Sequence, residues 1–153
     1  MADVYYPPGA FYFSVSMVGA SQAGIDASFQ EVSGIEATLD VENVEEGGEN
    51  RFSHRLPRIV KYPNLVLKRG LVTSGSLLAD WLTSTLAAGL AQPVVPKDLL
   101  VTLLNMRKSP LLSWTFTRAF PLRWELAQLN SERNEVLIET LELSYDYFQR
   151  VAG

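Results

Sequence analysis

The sequence predicts a mainly β domain with one α-helix and one long extended loop. Three observations predict it. Apolar and polar residues alternate with a period of two through most of the chain, the pattern of strands with one covered face. Only one segment repeats its leucines at helical spacing, Leu78, Leu82 and Leu86, with Leu77 and Trp81 beside them. The run EEGGENRFSHRLPRIVKYPNLVLKRGL, residues 45–71, is too polar at its start for a core element and too apolar at its end for a free loop.

Taken in order, Tyr5-Tyr6-Pro7-Pro8-Gly9 is a stiff, extended entry. Phe11, Phe13, Val15 and Met17 alternate with Tyr12, Ser14 and Ser16 and form the first strand; residues 19–26 are small and polar and form a loop. Residues 27–35 form a second strand with a bend or bulge at Gly34. Residues 36–44 form a third, with Ala37, Leu39 and Val41 on one face and Glu36, Thr38, Asp40 and Glu42 on the other. Pro57 removes a ladder donor, so residues 52–60 belong on an edge or outside the sheet. Leu65, Val66 and Leu67 read as a short strand closed by Arg69-Gly70, and residues 72–75 as a turn. The helix runs over 76–88, capped by Ser74 or Ser76 and ended by Gly89; alone in a β chain, it lies against a sheet or closes a barrel mouth. Residues 98–106 are apolar on both alternations and predict a central strand covered on both faces. A turn at 107–110, a strand at 112–120, a bend at Pro121, a continuing strand at 122–129 and a polar turn at 130–134 follow. Residues 135–150 fit a helix stripe (Leu137, Leu141, Tyr145, Phe148) or a strand (Leu141, Leu143, Tyr145, Tyr147); their Thr and Tyr content favours the strand.

At 153 residues, 47% hydrophobic and 20% charged, the chain reads as one globular domain over 1–153. A formal charge of −4 argues against a surface with general affinity for nucleic acid. Its start, MADVYYPPGAF, lacks the basic-then-apolar order of a signal peptide, and it has no apolar run long enough to span a bilayer. The expectation is synthesis in the cytoplasm without a signal peptide or membrane anchor, any export depending on another machine or on lysis.

Charge is distributed unevenly. Residues 1–50 hold nine acids and no Lys or Arg, whereas Arg51, Arg55, Arg58, Lys61, Lys68 and Arg69 follow with no acid among them. Two solvated faces would give that pattern. So would self-complementarity, in which acidic and basic surfaces of successive copies meet head to tail and build rings or filaments.

The pieces FQEVSGI (29–35), EGGEN (46–50), KYPNLVLKRGL (61–71) and Trp81, with Trp114, Trp124 and ETLEL (139–143), resemble the inner tube (tail tube) protein family of contractile-tailed phages and extracellular contractile injection systems. The similarity spans nearly the whole chain. It implies a β-sandwich or barrel-like tail-tube fold and hexameric rings stacked into a hollow tube inside a sheath. Contraction of the sheath drives the tube through a target envelope. The implied partners are the chain itself, the sheath protein, baseplate and tube-initiating proteins, and an effector or DNA as cargo in the lumen. The assembled particle would be a phage tail or an extracellular or cell-anchored injection system. The type VI secretion ring protein shares the implied architecture with a weaker sequence match.

The expected inter-subunit clamp is the excursion over about 45–64 and the basic stretch behind it: Glu45, Glu46, Gly47, Gly48, Glu49, Asn50, Arg51, Phe52, Arg55, Leu56, Arg58, Lys61, Lys68 and Arg69. The face bearing Glu36, Thr38, Asp40 and Glu42 is a candidate lumen lining, or an ordinary solvent face. The alternative function is a monomeric adaptor that holds an acidic partner on residues 51–69.

Chemistry is poorly represented. The chain has no cysteine and a single histidine, His54, set among arginines. No P-loop, GxGxxG, HExxH or GxSxG motif occurs. The acids from Asp40 to Glu49 lack the spacing of a calcium loop. No catalytic, metal or cofactor role is therefore assigned, and the three tryptophans are expected in the core.

Overall fold

The computed structural model describes residues 11–18, 25–45, 54–70, 76–89, 91–131 and 134–151. The expected entry at 5–9, most of the 19–26 loop, the tip at 46–50 with Arg51 and Phe52, and the 72–75 turn lie outside them. Among the described residues, the period-two segments form ten strands and the leucine stripe forms one helix. In chain order these are β1 (Tyr12–Met17), β2 (Ile25–Phe29), β3 (Glu31–Ser33), β4 (Thr38–Val44), β5 (His54–Lys61), β6 (Leu65–Gly70), α1 (Leu77–Ala88), β7 (Lys97–Leu104), β8 (Pro110–Ser131), β9 (Asn134–Ser144) and β10 (Tyr147–Val151).

One strand organises the sheet. β8 is 22 residues long and changes partners midway. Its first half pairs β7 on one side and β10 on the other; from Phe120 to Ser131 it pairs β9. The register shift between Pro121 and Arg123 falls at the handover, so the expected bend is a bulge within one continuous strand. The path β2-β1-β7-β8-β9-β6-β3 thus has a first half, β2-β1-β7-β8-β10, and a second half, β8-β9-β6-β3, curled into a half-barrel. The expected 27–35 strand is split into β2 and β3, one joining each half.

The inner side of the curl is the core. Val15, Phe29, Leu65, Leu67, Leu99, Val101, Phe116, Leu141 and Leu143 are fully buried there. α1 lies against β8, β1 and β2 on that side and inserts Leu78 and Leu82. Ser76 caps it, its hydroxyl accepting from the Ala79 amide at 3.0 Å, and Gly89 ends it. Leu77 and Leu86 point away and stay exposed, so the expected stripe is narrower than read, while Trp81 packs half-buried on the core. β7 is central in its half, but only its Leu99 and Val101 face is buried; Leu100, Leu103 and Leu104 are half-buried, against the expected double cover.

Residues 135–150 are strand, broken at Tyr145-Asp146. Before the break Leu141, Leu143 and Tyr145 point inward; after it the phase slips, so Phe148 packs on the core and Tyr147 is exposed. Tyr145 sits at the centre of an aromatic group, 4.8 Å from Phe116 and 5.8 Å from Tyr62 between ring centroids. Its hydroxyl donates to the Gly34 carbonyl at 2.9 Å. Gly34 has φ +99°, and a Cβ there would lie 2.0 Å from the Asn64 carbonyl oxygen, so only glycine fits this corner.

Ionising Tyr145 would remove the proton it donates to Gly34. Burial, then the neighbouring charges of Tyr62 and Glu36, pushes its phenol from 10.0 up to about 12. Between those values the folded chain keeps a proton that the unfolded chain has released, so the Tyr145 contribution is intact below pH 10 and declines as pH rises toward 12. The difference in unfolding free energy between wild type and Tyr145→Phe should shift in favour of the variant across that window. A constant difference, measured by urea titration at each pH, would contradict this.

Candidate assembly surfaces

Three surface features of the fold stand out, and a buried network lies beneath the first of them.

The first is an open edge. The ladder between β7 and β8 ends at the Lys97↔Ala119 pair, and β10 covers β8 only from Ser113 to Thr117. From Phe120 onward β9 is the only strand among the described residues that pairs with β8. One side of the second half of β8 therefore has no ladder partner. At the far end of the same half, β3 pairs β6 alone. The two ends of this half-sheet are different strands, and each offers backbone donors and acceptors.

The second is the hairpin of β4 and β5, which forms its own two-stranded sheet. Leu39, Val41, Val44, Leu56, Ile59 and Val60 are all exposed on it. The expected apolar face of residues 36–44 is there, but this subunit does not cover it. Two strands alone are marginally stable in water, and clustered exposed apolar side chains mark a contact surface. Pro57 is accommodated because, among the described residues, neither strand has a ladder neighbour on its outer side, as expected for a strand at an edge or outside the sheet.

The hairpin gathers most of the expected clamp residues that are described. Arg55, Leu56, Arg58 and Lys61 lie on β5, and Glu45 follows β4, all exposed. Glu46, Gly47, Gly48, Glu49, Asn50, Arg51 and Phe52 are outside the described residues. Glu36, Thr38 and Glu42 are exposed, whereas Asp40 is half-buried and paired with Arg58 at 3.7 Å and Lys61 at 3.6 Å. The face read as acidic is thus mixed in charge, because β5 lays its own cations across it.

The third is the outer face of the second half. Glu31, Lys68, Thr140, Arg123 and Glu125 line an open recess of about 440 Å³ there. Arg123 is held between Glu125 at 2.9 Å and Glu142 at 3.4 Å, and Asn64 donates to Glu142 at 3.1 Å. Lys68 faces this recess rather than the hairpin. Among the described residues no three His, Asp or Glu side chains converge to hold a metal, and His54 is exposed.

Arg69 departs furthest from its expected place. It shares the inward parity of Leu65 and Leu67 and is 2% exposed, so it is no part of a basic surface. Its Nε donates to Glu139 at 3.0 Å, its Nη2 to the Ser76 hydroxyl at 2.6 Å, and its guanidinium carbon lies 4.5 Å from the centre of the Phe29 ring. The other oxygen of Glu139 accepts from the Trp124 indole N–H at 2.8 Å. Trp124 is therefore not a core residue as expected. It is 36% exposed, with its polar end tied inward. Sequence reasoning gave Ser76 only the helix cap, placed Trp124 in the core and assigned Glu139 no individual role. The parity of Arg69 with Leu65 and Leu67 was the available signal, obscured by the run of cations around it.

Among the described residues the fold is a curled sheet with two unlike open edges and a two-stranded hairpin that pairs with neither half. The chain belongs to the T4-like virus tail tube protein gp19 family, whose model matches residues 9–149. Among solved structures it is similar to a chain of the anti-feeding prophage (AFP) baseplate, six-fold symmetrised, at 28% identity over 98% of this chain and 97% of that one, with a TM-score of 0.71. It is also similar to a chain of the sheath–tube complex of PVC, an extracellular contractile injection system, in the extended state, at 24% identity over 98% and 95%, TM-score 0.72. Hcp1 from Flavobacterium johnsoniae shares the fold at 14% identity over 93% and 96%, TM-score 0.51. A comparison with curated protein sequences gave no significant match. The protein is a tail tube component of phage tails or contractile injection systems, with the tail-tube fold.

Removing one member of the buried pair strands the other charge. Arg69→Met should cost about 3–5 kcal/mol of stability, and Arg69→Met with Glu139→Leu should recover a large part of it. Chemical denaturation of the two variants checks this. Losses that simply add would contradict the coupling.

Proposed function

We propose that this chain is the inner-tube subunit of a contractile injection system or phage tail. Six copies close into a ring, and rings stack into a hollow tube within a contractile sheath. Sheath contraction drives the tube through a target envelope, and the lumen conducts or holds cargo, an effector or DNA. The subunit acts mechanically and turns over no substrate. Beyond the sheath, its partners are the baseplate and tube-initiating proteins at the tube's ends.

The observation that carries this reading is the pair of unlike open edges on one half-sheet. Pairing the β8 edge of one copy with the β3 edge of the next is a head-to-tail contact, and such a contact closes into a ring when the rotation permits. Ring closure leaves no free edge in that half-sheet, which suits a wall that must resist shear. The similar chain in the six-fold symmetrised AFP baseplate supports six as the number. The projecting hairpin, with Arg55, Leu56, Arg58 and Lys61, is the inter-copy clamp in this reading, and the excursion from Glu45 through Phe52 extends it. When the half-sheets join, the face bearing Glu31, Lys68, Arg123 and Glu125 becomes a continuous surface. It competes with the Glu36, Thr38, Asp40 and Glu42 face for the lumen wall.

The adaptor reading requires a coherent basic surface over 51–69. Its described cations are dispersed instead: Arg58 and Lys61 pair with Asp40, Lys68 faces the recess and Arg69 is buried.

Electron microscopy of purified protein at high concentration should show six-fold rings or tubes. Val41→Asp with Ile59→Asp changes only exposed positions, so each change should move subunit stability by no more than about 0.5 kcal/mol while assembly is lost. A wild-type chain that stays monomeric at every concentration and salt, with sheath and baseplate supplied, would overturn the proposal.

A further inference from the structure

β8 is interrupted at Arg118, ahead of its register shift at Pro121. Arg118 has φ +55°, a left-handed conformation that a long side chain rarely adopts. Between the pairs Leu99↔Phe116 and Lys97↔Ala119, one residue of β7, Asp98, faces two of β8, Thr117 and Arg118. This is a bulge, and it slips the phase of β8 by one residue. Phe116 and Ala119 are accordingly both fully buried, while the Arg118 side chain is carried outward. On the other side of β8, the pairs Tyr147↔Thr117 and Ser144↔Phe120 leave Tyr145 and Asp146 out of the ladder. The ladders on both sides of β8 are thus broken at the same point.

Two aspartates hold Arg118 there. Asp98 Oδ1 accepts from the Arg118 amide at 2.9 Å, so a side chain of β7 satisfies this donor in place of the β7 backbone. The Asp98 carbonyl is committed elsewhere, accepting from the Val18 amide at 2.9 Å. Asp146 Oδ2 lies 3.2 Å from Arg118 Nε, and the Asp146 amide donates to the Thr117 carbonyl at 2.9 Å. The Arg118–Asp146 ion pair is exposed at both ends and contributes little by itself. The bond from Asp98 is charge-assisted and acts on the backbone directly.

A left-handed residue other than glycine persists only where its surroundings hold it, and such residues collect at functional positions. The ladder between β7 and β8 ends at Ala119, directly after the bulge. Beyond it β8 pairs with β9 alone among the described residues. Pro93 and Pro96 act in the same sense, because they remove two donors from the segment just before β7. The chain therefore carries two independent devices that stop its own strands from covering the second half of β8.

We propose that Arg118, held in its left-handed conformation by Asp98, is the positioning residue that ends the β7 ladder and keeps the edge of β8 from Phe120 to Ser131 open for another copy of this chain. What fills the edge rests on the ring reading above; the bulge is built by the subunit alone. The backbone conformation of Arg118 carries the role, and its guanidinium only fastens it to Asp146 from outside.

Two pairs of variants separate backbone from side chain. Arg118→Gly and Arg118→Val both lose the ion pair with Asp146, but glycine adopts a positive φ freely and a β-branched residue resists it. Asp98→Ala removes the acceptor of the Arg118 amide, whereas Asp98→Asn keeps one. Assembly would be followed by light scattering and electron microscopy, at a temperature where circular dichroism shows the variants folded. Arg118→Val should need a concentration about tenfold higher than Arg118→Gly, and Asp98→Ala one about tenfold higher than Asp98→Asn. In dispersed subunits the amide of residue 118 should exchange with solvent faster in Asp98→Ala than in wild type or Asp98→Asn. Equal assembly concentrations within either pair would overturn the proposal, and rings formed by wild type in the same experiment would leave the ring reading intact. Should Arg118→Val fail to fold, the aspartate pair, which leaves residue 118 unchanged, decides alone by the same criterion. Failure of the unmodified chain to form rings would overturn both readings.

Discussion

The structure depends on one unmet requirement: among the described residues, one side of β8 beyond Phe120 has no ladder partner. Backbone amides and carbonyls need partners, and in a folded sheet they find them in adjacent strands. β8 is long enough to belong to both halves of the curl, but β7 ends where the first half ends. What remains is an edge of unusual length. Proteins normally blunt such edges with proline, charge or a covering element. Pro121, Arg123 and Glu125 lie on this one, but its inner side carries Trp124 and Leu126, both more than a third exposed, which suits a surface that another chain covers.

The buried Arg69–Glu139 pair bears on the same edge. A buried ion pair is weak evidence for stability, because desolvation offsets much of its attraction. Its reach is the more telling property. It ties β6 to β9, reaches the first turn of α1 through Ser76, stacks on Phe29 of β2 and fixes Trp124 of β8. α1 buries only Leu78 and Leu82, so its polar fastening complements a small apolar one. The network thereby sets the position of the helix and of the edge tryptophan together.

Much of this was legible in the sequence. Alternation located most strands, the leucine repeat located α1, and Pro57 placed β5 outside the main sheet. Residues that break a simple period were not legible. The phase slip at Tyr145-Asp146 moves Phe148 inward and Tyr147 out, and no local pattern announces it. Arg69 read as surface because charge is normally solvated, and its burial depends on Glu139, 70 residues away. The hairpin shows the limit most clearly. Alternation indicated that Leu39 and Val41 needed cover, but within the described subunit that cover is absent, so a second chain has to be considered. The candidate assembly residues were legible as a charged region and not as individual roles, because cross-strand partners such as Asp40 with Arg58 and Lys61 are set by register.

In the ring we propose, the open side of β8 is completed by another copy. Hydrogen exchange of the amides from 120 to 131 tests it most directly, comparing dispersed subunits with assembled particles. In the dispersed chain, amides turned toward β9 should be protected and the alternate ones should exchange freely. On assembly the alternate set should become protected as well. Alternate amides that exchange equally fast in both states would contradict the account.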